Sequence, residues 1–117
     1  MPFIIAVDYD DTLFTESFPE KGNPNQGVID KVIEFQECGA EIVLWTCREN
    51  NYLKEALEHC KDHGIMLSAA NDKAPSMSAE SDFGNSKIYA NIYVDDRAPG
   101  SIDFFLNINA KETCRNF

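Results

Sequence analysis

Apolar positions along the chain fall into short runs separated by polar stretches that carry glycine or proline. Phe3 to Val7 is an unbroken apolar run containing β-branched and aromatic residues. It predicts a strand buried on both faces, as in a parallel sheet covered by helices. Leu13 to Gln26 holds Pro19, Gly22, Pro24 and two asparagines, a loop composition. Val28, Ile29, Val32, Ile33 and Phe35 then recur mostly at spacings of three and four, which predicts a helix with Asn25 as its cap and Gly39 as its left-handed stop. Ile42 to Trp45 is a second strand. A second helix is expected from about Tyr52 to His63, with Leu53, Ala56, Leu57 and Cys60 inward, Asn50 or Asn51 as cap and Gly64 as terminator. Ile65 to Ala70 suits a third strand, and Ala74 to Ser86 a loop with at most a turn or two of helix. Ile88 to Val94 regains strand character. The run from Ile102 to Ile108 fits either a short strand or a helix, because periodicity does not separate the two.

Strand, helix, strand, helix, strand is the pattern of right-handed βαβ crossovers onto a mostly parallel sheet. The expected class is therefore α/β, a three-layer Rossmann-like fold forming one domain over residues 1–117. In such sheets ligands bind at the carboxyl ends of the strands. Here those ends carry Asp8 to Thr12, Thr46 to Arg48, Asn71, and Asp95 with Asp96.

Composition narrows the partners. A length of 117 residues and 44% hydrophobic content suit a single soluble core. The formal net charge of −10 repels polyanions, which argues against nucleic acid or an anionic membrane surface as a partner. Cys38, Cys47, Cys60 and Cys114 form no Cys-x-x-Cys pair, no stretch is long and apolar enough to span a bilayer, and no export leader is visible. Reduced thiols in a cytoplasmic protein are the simplest expectation.

The candidate chemistry starts at the end of the first strand. Asp8, Asp10 and Asp11 are three carboxylates within four positions, just past a buried run. Crowded and poorly solvated acids call for a compensating cation, and a hard divalent ion such as Mg²⁺ suits oxygen ligands. A calcium loop counted from Asp8 fails, because Leu13 stands at the sixth position in place of glycine and Pro19 at the twelfth in place of a bidentate Glu. His59 and His63, four apart beside Cys60, lack the Glu of the metalloprotease motif and read as a solvated helix end.

An ordered set of residues spanning nearly the whole chain resembles the haloacid-dehalogenase (HAD) superfamily of phosphatases and phosphotransferases. Asp8-Tyr9-Asp10-Asp11-Thr12 resembles its Asp-x-Asp-x-Thr motif, Thr46 its strand-end hydroxyl, Lys87 its lysine and Asp95-Asp96 its terminal acidic pair. Asp11 departs from the pattern, since many members have Gly there and a side chain restricts that turn. The resemblance implies a Mg²⁺-dependent phosphomonoester hydrolase. Asp8 would be the nucleophile forming an aspartyl-phosphate, and Asp10 the acid and base, its pKa raised by crowded acids. Mg²⁺ would be held by Asp8, the Asp10 backbone carbonyl and Asp95, with Asp96 either a ligand through water or an orienting group. Thr46 and Lys87 would contact the phosphoryl oxygens, Lys73 competing with Lys87 for the cationic role, and backbone donors around Tyr9, Asp10 and Cys47 would add to them. Arg48 reads equally as a ligand for a substrate phosphate or carboxylate and as a surface salt bridge.

Neither Leu13 to Gln26 nor Cys47 to Ser86 leaves room for the cap domain such enzymes commonly carry, so an open, cap-free site is expected. It would take a bulky phosphorylated substrate, or a small one enclosed by a neighbouring subunit in a homo-oligomer. Trp45, Tyr9 and Phe14 fall near the site and could stack on a sugar or base, with Trp45 assigned to the core. The rival from another class is a receiver-like or non-catalytic module that binds phosphate and Mg²⁺. Receiver domains place the phosphorylated Asp after a middle strand, and here that strand ends in Trp45-Thr46.

Overall fold

The computed structural model describes residues 2–77 and 88–115. Its strands are β1 (Ile4–Asp8), β2 (Glu41–Trp45), β3 (Ala69–Ala70) and β4 (Ile92–Val94), and its helices α1 (Gln26–Glu37), α2 (Asn50–Asp62), α3 (Ser101–Asn107) and α4 (Ala110–Arg115). The four strands form one sheet in the order β3-β2-β1-β4, every pair parallel. The fold is α/β and Rossmann-like, a parallel central sheet flanked by helices.

Alternation along β1 sorts the core into two layers. Ile5 and Val7 face a large cluster with Val28, Ile29, Val32 and Phe35 of α1, Ala56 and Cys60 of α2, Phe105 of α3 and Ala110 of α4. Ile4 and Ala6 face a smaller cluster with Val43, Ala74, Ile88 and Ala90. β1 is thus buried on both sides, which is why its sequence shows no polar alternation. Phe35 is the keystone of the larger layer, stacked on Phe3 at 5.7 Å and on Phe105 at 5.4 Å between ring centroids.

The order of strands fixes where a site belongs. From β1 the chain moves outward through β2 to β3, then returns across the sheet to place β4 on the other side of β1. The reversal point lies between β1 and β4, so a crevice is expected at their carboxyl ends. Asp8 ends one and Asp95 follows the other.

Several elements differ from the sequence reading. β3 is two residues long because Ile65 is spent in the core under α2, and pairing with β2 begins only near Ser68, whose N–H donates to the Ile42 carbonyl at 2.8 Å. β4 is three residues long: Ile88 and Ala90 cover the second face of the sheet, and the Tyr93 hydroxyl takes up the Ala90 N–H and the Ile88 carbonyl. The undecided run 102–108 is helical up to Asn107, in a helix α3 that starts one residue earlier at Ser101, and Ile108 follows it with extended backbone. α4 was not anticipated; Asn109 Oδ1 accepts the Glu112 N–H at 2.9 Å at its start.

The predicted caps also shift. Asn25 does precede α1 but makes no side-chain cap; its Nδ2 donates to the Thr12 carbonyl at 3.1 Å, tying the helix start to the acidic loop. α2 begins at Asn50 after an extended Glu49, with no side-chain cap. Gly39 and Gly64 do close α1 and α2 with φ of 91° and 85°. Among the described residues there is no cap domain, since 13–25 is an irregular loop and 46–77 holds α2, β3 and a single 3-10 turn at Pro75–Met77. No described helix is long and apolar enough to cross a membrane.

Candidate active site

The loop after β1 is wound tightly enough to aim its acids. The Tyr9 carbonyl accepts the N–H groups of Leu13 and Phe14 at 3.1 and 3.2 Å, while the Asp11 N–H donates to the Phe14 carbonyl at 2.7 Å. Asp11 takes a left-handed φ of 61°, the conformation that glycine would adopt most freely. Its own carboxylate helps, accepting the Glu16 N–H at 2.8 Å. The departure from glycine is therefore accommodated in the turn and does not distort it.

Asp8, Asp95 and Asp96 converge: one carboxylate oxygen of each lies within 4.8 Å of the others. Among the described residues this is the one cluster of three side chains suited to hold a metal ion. Thr12, fully buried, links its members. Its hydroxyl donates to Asp8 Oδ2 at 3.2 Å and accepts the Asp96 N–H at 3.1 Å, joining residues 84 apart in sequence. Asp95 is held from below, its N–H donating to Ser101 Oγ at 3.2 Å and its Oδ1 accepting the Arg97 N–H at 2.9 Å.

The electrostatics follow from this crowding. Burial first, then the hydrogen bond to Asp96, then the charge of Asp95 push the Asp8 carboxyl up to about 7. The Tyr9 N–H and the Thr12 hydroxyl pull the other way without winning. A hard cation among three carboxylates would relieve both the desolvation and the repulsion, so the donor set fits Mg²⁺.

Two depressions share Asp8, Cys47 and Arg97. One, of about 370 Å³, is lined also by Trp45, Thr46, Asn71 and Asp95. The other, of about 390 Å³, adds Asp10, Asp11, Glu16, Phe18, Arg48 and Asp96. A larger apolar hollow of about 570 Å³ between α2 and β3 contains no carboxylate and lies away from this chemistry.

Thr46 stands where it was expected, half-buried, its N–H donating to Asn71 Oδ1 at 2.8 Å and its Oγ1 accepting the Arg48 N–H at 3.1 Å. Its hydroxyl proton remains to be given to a ligand. Cys47 is exposed between the two depressions. Lys87 lies outside the described residues, and its competitor Lys73 lines neither depression. The cation found beside Asp8 is Arg97, exposed, whose guanidinium makes no hydrogen bond or ion pair among the described residues.

Four sequence assignments are corrected. Arg48 is not a surface salt bridge: it is 2% exposed and grips both oxygens of Asp10 at 2.9 and 2.8 Å, while lining the depression that contains Asp8. Asp10, accordingly, is not a member of the crowded acidic trio, and the crowding falls on Asp8. The aromatic roles are reversed. Tyr9 and Phe14 are fully buried, whereas Trp45, the register partner of Asp8, is 47% exposed at the site.

The histidines are not a solvated helix end either. His59 stacks on Phe14 at 3.9 Å and bonds the Tyr9 hydroxyl at 2.7 Å. Sequence reasoning gave no separate role to Thr12, Asn71, Arg97 or Ser101. The adjacency of Arg97 to the acidic pair was the available signal for one of them, and the others depend on partners distant in sequence.

No family model matches the chain, and no curated protein matches it. Among solved structures, a conserved protein coded by a locus of Bacteroides thetaiotaomicron is similar, with a TM-score of 0.76 and 27% identity over 99% of this chain and 92% of that one. The α/β architecture is therefore shared from end to end with that protein.

Proposed function

We propose that the protein is a Mg²⁺-dependent phosphomonoester hydrolase of the haloacid-dehalogenase type that works through a phosphorylated Asp8. The observation that carries this reading is the convergence of Asp8 with Asp95 and Asp96, from the ends of adjacent parallel strands, within 4.8 Å. Asp8, Asp95 and Asp96 would hold the ion, which when bound supplies charge neutralisation to the phosphoryl oxygens.

The residues divide the work as follows. Thr12 fixes one Asp8 oxygen by its hydrogen bond, leaving the other to attack phosphorus. As that bond forms, the ester P–O bond breaks and its electron pair passes to the leaving oxygen, which takes a proton from Asp10. Water then attacks the phosphorus of the aspartyl-phosphate, its proton goes to Asp10, and the bond to Asp8 breaks to restore the carboxylate. The Thr46 hydroxyl and the Arg97 guanidinium, both lining the depression beside Asp8, would receive the phosphoryl oxygens, with Lys87 as a further cation from the resemblance.

The acidic rim of Asp11, Glu16 and Asp96 disfavours nucleic acid, the most highly charged of the phosphorylated substrates. Four free thiols suit a reducing cytoplasm.

The test is phosphate release from p-nitrophenyl phosphate with and without Mg²⁺, beside Asp8→Asn. Turnover should require Mg²⁺ and vanish in the variant. Mg²⁺-independent or undiminished activity would overturn the reading, and stoichiometric phosphorylation without turnover would favour a receiver-like module.

A further inference from the structure

We propose that Arg48 is a positioning residue that holds the Asp10 carboxylate in the orientation from which it exchanges a proton with the leaving group. This deepens the hydrolase reading and rests on it. The guanidinium donates Nε–H to Asp10 Oδ2 at 2.9 Å and Nη2–H to Asp10 Oδ1 at 2.8 Å, the two-pronged geometry that fixes the plane of a carboxylate. The second Nη2–H donates to the Glu20 carbonyl at 2.7 Å, and Nη1 donates to the Pro19 carbonyl at 3.3 Å.

The guanidinium cannot easily swing out of this setting. It stands over the Tyr9 ring at 4.8 Å and the Phe18 ring at 5.1 Å. Three pieces of chain therefore meet on one side chain: the loop after β1 through Asp10, the loop before α1 through Pro19 and Glu20, and the loop between β2 and α2, which carries Arg48. Asp10 nevertheless stays 26% exposed and lines the depression that contains Asp8, and each of its oxygens keeps a lone pair beyond the one Arg48 engages. Lysine could not reproduce this, since an ammonium is a point charge without a planar fork.

A buried ion pair that merely staples two loops would look similar, so the test must separate the two roles. An alkyl phosphate needs its leaving oxygen protonated, while an aryl phosphate departs as a stabilised phenolate. Arg48→Met should lower kcat/KM for the alkyl ester on the order of 100-fold, as for loss of a positioned acid, and for the aryl ester by less than about tenfold. Arg48→Lys, which keeps a cation beside Asp10, carries the same comparison if the Met variant does not fold. In an Asp10→Asn background the Arg48 change should have no further effect on the alkyl ester.

Equal losses on both esters, or an undiminished effect in the Asp10→Asn background, would overturn the positioning role and leave the hydrolase reading standing. Absence of Mg²⁺-dependent turnover of either ester by the native protein would remove the hydrolase reading, and this inference with it.

Discussion

Thr12 shows how much of the site depends on a single hydroxyl. It is fully buried between Asp8 and the backbone of Asp96, and removing it leaves the Asp96 N–H without its acceptor. Thr12→Val keeps the volume and removes both bonds, so it should cost about 1–3 kcal/mol in urea unfolding and weaken Mg²⁺ binding. Thr12→Ser should recover most of each, and a Val variant of native stability would refute the bridging role. Trp45 makes a second residue-scale case. As the exposed neighbour of Asp8, it can stack on an aryl leaving group for about 0.5–1.5 kcal/mol. Trp45→Ala should accordingly raise KM for p-nitrophenyl phosphate several-fold with little change in kcat, and an unaltered KM would place the ring outside the substrate's path. The acids themselves were legible in the sequence because Asp8, Asp10 and Asp11 lie in one short stretch beside a buried run. The bonds of Thr12 to Asp96 and of Arg48 to Asp10 were not legible, since they join residues 84 and 38 positions apart and are chosen by the fold. Trp45 was misassigned because period-two alternation tells which face a residue takes but not that the strand stops there.

At the scale of elements, β1, α1, β2 and α2 were legible because each has a run long enough to show its period. β3 and β4 were legible as strands but not in their bounds, and the final helices were not legible. The apolar residues beside those two strands cover the sheet or the core: Ile65, Ile88 and Ala90 are buried without belonging to a strand. Burial alone therefore does not imply pairing, and short runs carry too little periodicity to distinguish the two uses. α3 is seven residues long, too short to be stable by propensity alone, and is held by Phe105 against Phe35 of α1. That packing can be tested. Phe35→Ala removes the ring that joins Phe3 to Phe105 and should cost about 3–5 kcal/mol in urea unfolding. A loss below about 1 kcal/mol would mean that the two outer rings close the gap.

For the whole molecule, the parallel sheet gathers acidic groups at one edge of a chain that already carries a net charge of −10. On the proposed reading, stability should depend on pH and on a divalent ion together. Asp8 has an ordinary value of 3.8 and is pushed up to about 7 in the folded chain, chiefly by burial and then by Asp96 and Asp95. A carboxyl raised on folding prefers its proton in the native state. Its contribution is fully present below pH 3.8 and is lost as pH climbs through about 7. His59 acts in the opposite sense, because burial first and His63 second hold it below its ordinary value of 6.5, so folding favours its neutral form as pH rises. Asp8→Asn keeps His59 and deletes the carboxyl, which isolates the Asp8 contribution. Thermal melts of the metal-free protein should therefore lose more Tm between pH 5 and pH 8 than those of Asp8→Asn. Mg²⁺ favours the ionised carboxylate, so its stabilisation should be larger at pH 8 than at pH 5, reaching about 2.7 kcal/mol at one hundred times its Kd. A gain of the same size in Asp8→Asn, or one that is equal at the two pH values, would show that the ion binds elsewhere than among these strand ends.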